Sequence, residues 1–333
     1  MTQQARKFEA VDAAVVREPK PLLVGITSPS GGGKTFSALK LATGMQRVTG
    51  GEIYLGDTEA GRSLQYQDIF KFKYVKFAPP HSPAAYEDLI HYCVGNGAKI
   101  VILDSMTHEH SGEGGVLDQI DEYLERKSKG NFDERERYKW TAQIEPKRQR
   151  KALNNTIEQL GGKVIFIFCY RAEDKTKPSD KKGEKPIHLG WTAETTSKLP
   201  YMMTVRFLLP PGADGKPNLT PDTEFEKLSI KMPIQFRDWF KPGLQLNEDL
   251  GERLARWSLG QDAPGAPTSR AEQKQSTPPP VVDRITDDEW EDVEARLAAA
   301  PDLDSAKSIA NQYRHRMNDD QRKRTRTLIE NHA

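Results

Sequence analysis

The feature that most constrains this chain is a glycine loop set between an apolar run and a helical pattern near its start. Leu22-Leu23-Val24-Gly25-Ile26 is short, apolar and β-branched enough to be a buried strand. Ser28-Pro29-Ser30-Gly31-Gly32-Gly33-Lys34-Thr35 follows it, and from Thr35 to Val48 the residues Phe36, Leu39, Lys40 and Thr43 fall together on a helix. A glycine turn between a strand and a helix N-terminus lets backbone N–H groups converge on phosphate oxygens, where the helix dipole favours an anion. Lys34 is then placed to neutralise β- and γ-phosphates, and the Thr35 hydroxyl to coordinate Mg2+. Ser30, Gly31, Gly32, Gly33, Lys34, Thr35 and Phe36 are therefore the expected nucleotide-binding residues. The bland alternative is a plain glycine turn, against which the preceding strand and the Lys-Thr pair both weigh. Where such loops usually begin with glycine this one has Ser28, so Gly31 and Gly32 are expected to restore the backbone freedom.

A further apolar strand, Lys99 to Leu103, the third in chain order, ends in Asp104-Ser105. A carboxylate at the carboxyl edge of a sheet, beside the glycine loop, is suited to holding magnesium, usually through water, so Thr35 and Asp104 are the expected metal residues. Asp57-Thr58-Glu59 directly follows the strand Ile53-Tyr54-Leu55. Hydrolysis needs a base or an orienting group for the attacking water, and Glu59 is the best-placed carboxylate for it. Lys34, Glu59 and Asp104 form the expected catalytic set. The competing readings are a helix-capping aspartate and a surface glutamate.

Apolar strands alternate with helical patterns, which predicts an α/β fold with a mostly parallel sheet covered by helices on both faces. Ser82-Pro83 opens a helix carrying Tyr86, Leu89, Ile90 and Cys93, and Val164 to Phe168 is a further buried strand. Residues 105–163 read as charge-rich helices and 172–198 as a lysine-rich loop without periodicity. Met202 to Leu209 and Phe225 to Pro233 read as strands joined by Pro210-Pro211-Gly212-Ala213-Asp214-Gly215 into a hairpin that extends the sheet. The domains expected are a tail over 1–19, the nucleotide domain over 20–260, a Pro-rich linker over 261–285 and a small helical module over 286–333. In that module Thr286 and Glu289 make a capping box, Trp290, Val293 and Leu297 share a helical face, and Asp302 and Asp319 stand near two more helix starts.

Charge bounds the partners. A net charge of +1 means that any nucleic-acid binding rests on local clusters. Two are present: Lys147-Arg148-Gln149-Arg150-Lys151, and Lys175, Lys177, Lys181, Lys182 and Lys185. Each is a set of phosphate contacts or a solvated surface. Tyr170, Trp140 and Trp191 are aromatic surfaces for unpaired bases, with core packing the plainer expectation for the tryptophans. His108-Glu109-His110 lacks a third ligand at a useful spacing and reads as a loop near the nucleotide. Cys93 and Cys169 are the only cysteines, too far apart for a disulfide framework or a zinc site. No apolar run approaches the roughly 18 residues needed to span a bilayer, and no secretory signal is evident, so no membrane contact and a cytoplasmic location are expected.

Taken together, Ser-Pro at the head of the glycine loop, strand plus Asp57-x-Glu59, a Ser-capped helix and strand plus Asp104-Ser105-Met106-Thr107-His108 resemble the RecA-like ATPase core, in its phage-type single-strand annealing or recombination branch. The resemblance covers about residues 20–235, with glycine loop and Asp104 strand standing as the Walker A and Walker B motifs. It implies an ATP- and Mg2+-dependent ATPase that binds single-stranded DNA as a filament or ring, in a host cytoplasm if phage-encoded. Residues 286–333 would recruit a single-strand-binding protein or another recombination partner. Lys147, Arg148, Arg150, Arg171, Lys175, Lys177, Lys181 and Lys182 would face DNA, and Lys231 would reach a neighbour's nucleotide. Where the family carries a glutamine that senses the γ-phosphate, this chain has Cys169, which puts ATP-to-DNA coupling in question. A nucleotide-dependent regulatory protein that does not bind DNA is the main alternative; a P-loop kinase is weaker, since no compact arginine-rich lid is evident.

Overall fold

The computed structural model describes residues 10–13, 16, 18–179, 185–261, 285–313, 317 and 319–330. The chain divides into two compact units between Ala266 and Pro267, inside the stretch expected to be a linker.

The first unit is an α/β domain. In chain order it comprises β1 (Leu23–Ser28), α1 (Lys34–Thr49), β2 (Glu52–Asp57), β3 (Lys73–Lys76), α2 (Pro83–Gly95), β4 (Ala98–Asp104), α3 (His108–Ser111), α4 (Val116–Ser128), α5 (Phe132–Ala142) and α6 (Ile144–Leu160). It continues with β5 (Ile165–Lys177), β6 (Ile187–Ala193), α7 (Leu199–Met202), β7 (Val205–Leu208), α8 (Glu224–Ser229) and α9 (Glu248–Ser258). The sheet runs β3-β2-β4-β5-β1-β7, every pair parallel, and β6 adds to the far end of β5 in antiparallel sense.

Period-two alternation explains how both faces are buried at once. On β5, Ile165, Ile167 and Cys169 pack into the layer with Leu39, Leu41, Ala42 and Met45 of α1, whereas Phe166, Phe168 and Tyr170 pack with Tyr86, Ile90 and Cys93 of α2 and Leu153 and Ile157 of α6. Each of these large apolar side chains contributes about 1.5–3 kcal/mol by leaving water. The α1 layer closes through α9 at very short range: a Cβ on Gly44 would overlap the Glu248 carbonyl, and one on Gly251 would overlap that of Leu41. α2 begins as its sequence dictates, with Ser82 Oγ accepting from Ala85 N at 3.1 Å and Pro83 in the first turn. The end of α9 ties back to the domain's start, Lys20 N donating to Ser258 O at 2.7 Å.

Three sequence expectations are corrected. Within 172–198, residues 172–177 and 187–193 are strand and not irregular loop: β5 runs on to Lys177 and pairs with β6. Phe225 to Pro233 is not a strand of a hairpin; Thr223 caps α8 by accepting from Glu226 N at 3.3 Å, and strand-like pairing is limited to an isolated bridge between Lys231 and Arg206. Of the range 202–209 only Val205–Leu208 is strand, parallel to β1. β3, a four-residue edge strand, has no counterpart in the sequence reading.

In the second unit, α10 (Asp287–Ala298), α11 (Leu303–Tyr313) and α12 (Asp319–Glu330) enclose a small core of Ile285, Trp290, Val293, Leu297, Ala310 and Met317. The Thr286–Glu289 capping box forms as its spacing predicts. No helix among the described residues is long and apolar enough to cross a membrane.

Candidate nucleotide site

The carboxyl ends of β1, β2, β4 and β5 meet at one edge of the sheet, where open parallel sheets place their ligands. β1 delivers the glycine loop there. Gly31 and Gly33 have φ of 80° and 89°, and a Cβ on Gly32 would overlap the Ser28 hydroxyl. The freedom that Ser28 withholds therefore comes from Gly31 and Gly33, and Gly32 is needed for space. Gly33 is the N-cap of α1 with no side-chain cap, so the helix presents its amide end to the pocket.

Lys34 and Thr35 project from the first turn of α1 onto the strand-end acids. Thr35 Oγ1 donates to Asp104 Oδ2 at 2.5 Å. Lys34 Nζ lies 3.4 Å from Glu59 Oε1 and 3.6 Å from Asp104 Oδ1, with the Lys34 and Glu59 side chains only 12% and 8% exposed. Burial opposes the Lys34 charge, but Asp104 and Glu59 outweigh it and hold its pKa above the ordinary lysine value. Burial likewise pushes Glu59 up, yet Lys34 and Arg62 prevail and keep it below the ordinary glutamate value. Asp104 moves the other way: burial raises its pKa despite the Lys34 charge and the Thr35 hydrogen bond.

Backbone ties fix these groups. Asp57 is buried and accepts from Glu59 N at 2.6 Å, Ser63 N at 3.0 Å and Ser63 Oγ at 2.5 Å, so Asp57 shapes the turn and Glu59 is turned toward the pocket. Thr58 N donates to Asp104 O at 2.9 Å, Thr58 Oγ1 accepts from Ser105 N at 2.8 Å, and Met106 N donates to Cys169 O at 2.8 Å. The ends of β2, β4 and β5 are thereby sewn together.

The residues fit a magnesium ion by the chemistry of their donors. Asp104 Oδ1 is buried without a hydrogen-bond partner, beside the Thr35 hydroxyl bound to Oδ2. One carboxylate and one hydroxyl leave the remaining positions to water and phosphate, the usual manner of Mg2+. Ser28, Pro29, Ser30, Gly31, Gly33, Lys34, Thr35 and Glu59 line the cavity, of about 430 Å³, together with Arg62, Gln65, Tyr66 and Arg171. Arg62, Gln65 and Tyr66 escape sequence reasoning because they sit in a 3-10 turn, Arg62–Tyr66, with no motif of its own. Phe36 lies behind Tyr66, ring centroids 5.5 Å apart, and packs on Phe70 at 5.3 Å.

The residues expected to face DNA do not gather at one place. Arg171 lines the cavity beside the glycine loop, its Nη2 3.8 Å from Glu59 Oε1. Arg150 is a structural residue: Nε and Nη2 donate to the two oxygens of Glu109, which is 1% exposed, at 2.6 and 2.8 Å, and Nη1 donates to Thr196 at 2.9 Å. Arg148 pairs with Glu145 at 2.8 Å and Lys175 with Glu173. Lys177 is exposed at the end of β5, and Lys181 and Lys182 lie outside the described residues. Lys147 borders a separate, larger groove of about 1230 Å³ between α4, α6 and residues 196–202, with Val116, Leu117, Ile120 and Pro146 among its apolar lining. That groove exposes mainly apolar surface and does not include the glycine loop or the strand-end acids of the smaller cavity.

Lys231 is exposed, and within the single chain its Nζ donates to Met203 O at 2.5 Å and Tyr201 O at 3.3 Å. Tyr170 is buried and unavailable for stacking, Trp191 is half-buried, and Trp140, expected in the core, is 78% exposed. The His108-Glu109-His110 run does lie beside the site, His108 Nδ1 sitting 2.7 Å from Thr58 Oγ1.

Compared with models of protein families and with curated proteins, the chain matches none of them.

Proposed function

We propose that this chain is a RecA-like P-loop ATPase that binds ATP with Mg2+ and acts as an oligomer on single-stranded DNA in phage-type recombination or annealing. The observation that carries the nucleotide part is the contact of Thr35 with Asp104 beside Lys34, at the uncapped N-terminus of α1. Amides of the loop and first turn receive the phosphates, Lys34 supplies the charge against β and γ oxygens, and Thr35 with Asp104 would hold Mg2+. When bound there, Mg2+ offsets phosphate charge and fixes the oxygens in place. Glu59, ionised by its cationic neighbours, orients the water for attack on the γ-phosphorus. Tyr66, with Phe36 behind it, offers an aromatic wall for the base. The module at 286–333 recruits a single-strand-binding protein or another recombination partner.

A second reading has one observation in its favour. Arg148, Arg150 and Lys175 are paired with carboxylates of their own chain, which leaves less free positive charge for DNA than the sequence suggests. On that reading the pocket is a nucleotide switch for a protein partner. Measuring ATP turnover and salt-dependent single-strand binding side by side, in wild type and with Lys175 and Lys177 neutralised, separates the two. Turnover stimulated by DNA, lost in Lys34→Ala and weakened by the lysine changes, supports the first; turnover indifferent to DNA supports the second.

A further inference from the structure

β5 lies between β1, which feeds the glycine loop, and β4, which ends at Asp104. Arg171 pairs in register with Ser28 and shares the parity of Ile165, Ile167 and Cys169, the residues facing the α1 layer. It is the first of that series to leave the core, so its side chain emerges beside the glycine loop. Its backbone is pinned, Arg171 N donating to Thr107 Oγ1 at 2.8 Å, while its guanidinium remains half exposed.

Glu59 carries more positive charge than one carboxylate can satisfy. Lys34 and Arg171 share Oε1 at 3.4 and 3.8 Å, and Arg62 reaches Oε2 at 3.1 Å. At 3.8 Å the Arg171 contact is an ion pair without a hydrogen bond, the loosest of the three. A terminal phosphate offers a planar guanidinium fork a stronger, bidentate acceptor than a shared carboxylate oxygen. Cys169, at the place where the family resemblance puts a sensing glutamine, is wholly buried beside Asp104 and does not line the cavity.

We propose that Arg171 is this chain's γ-phosphate sensor. Glu59 holds Lys34 and Arg171 while the site is free of nucleotide, and a nucleoside triphosphate, but not a diphosphate, draws the Arg171 guanidinium onto its terminal phosphate. The proposal rests on the phosphate-site reading above. It has two consequences: Glu59 gives up its loosest cation at Oε1 while Arg62 stays on Oε2 to keep it ionised, and the strand that carries Arg171 runs on to Lys177 in the β5–β6 pairing, which receives the change.

The test compares the affinities of Mg2+ with a non-hydrolysable ATP analogue and with ADP, by calorimetry, in wild type, Arg171→Ala and Arg171→Lys, with thermal unfolding recorded for each. Wild type is expected to favour the triphosphate by about tenfold or more. Arg171→Ala should lose that preference while its ADP affinity stays within about twofold, and Arg171→Lys should recover part of it, retaining charge but not the fork. An unchanged triphosphate-to-diphosphate ratio in Arg171→Ala overturns the proposal, as does a wild type without preference or a variant that no longer takes up ADP. A wild type that binds neither nucleotide overturns the phosphate-site reading itself.

Discussion

Thr35 Oγ1 donates to Asp104 Oδ2 at 2.5 Å, joining the first turn of α1 to the last residue of β4 across the strand that separates β1 from β4. Neither residue needs the other to build the fold, since α1 and β4 are anchored by their own buried faces. Burial holds Asp104 above the ordinary aspartate pKa, which means that its charge is kept at a cost to the nucleotide-free protein. Asp104→Asn should accordingly melt at the same temperature as wild type or higher without ligand. It should gain little from Mg·ATP, whereas wild type gains about 2.7 kcal/mol at a hundredfold excess over Kd. Thermal unfolding with and without Mg·ATP checks both halves; a full ligand shift in the variant would remove Asp104 from the metal site.

Arg150 illustrates a basic residue whose role is set by burial and not by its cluster. Removing it leaves Glu109 buried and uncompensated, so Arg150→Ala is expected to cost about 3–5 kcal/mol in urea unfolding. A loss under about 1 kcal/mol would mean that the pair is incidental. DNA-binding defects in Arg150 variants therefore need a stability control.

The Lys34–Glu59 pair makes a signed prediction about pH. Glu59 sits below its ordinary value of 4.5, so its stabilisation is present above that pH and is lost as the pH falls through the folded value. Lys34 sits above 10.5, so its share is present below that pH and is lost as the pH rises through the folded value. The stability difference between wild type and Glu59→Gln should be level from about pH 5.5 to 9.5 and shrink below it. Urea titrations across that range give the answer; a difference that grows on acidification would contradict the pairing.

Much of the site was legible because it stands at the ends of fully apolar strands. Asp104, Asp57-Thr58-Glu59 and Lys34-Thr35 each interrupt or follow such a run, so order along the chain predicts convergence in space. Arg171 was not legible in this way. Only the register Ser28–Arg171, together with the alternation along β5, turns it from the hairpin toward the glycine loop. The β5 half of the hairpin was hidden because Glu173, Asp174, Lys175 and Thr176 pair through backbone and through contacts like Asp174 with His188, 2.5 Å apart, and carry no hydrophobic period. β6 does alternate, with Ile187, Leu189, Trp191 and Ala193 at every second position, a strand signal masked by its lysine-rich surroundings. At Phe225 the apolar spacing suggested a strand, but the Thr223 cap and the acidic first turn of Glu224 and Glu226 decide for a helix.

Everything here depends on a triphosphate and Mg2+ occupying the pocket beneath the glycine loop. The most direct measurement is calorimetric titration of Mg·ATP, and of ATP with chelator, into wild type and Lys34→Ala. The account predicts saturable, magnesium-dependent heat in wild type and binding weakened by about tenfold or more in the variant. Absence of heat in wild type, or equal affinity in both proteins, would contradict it.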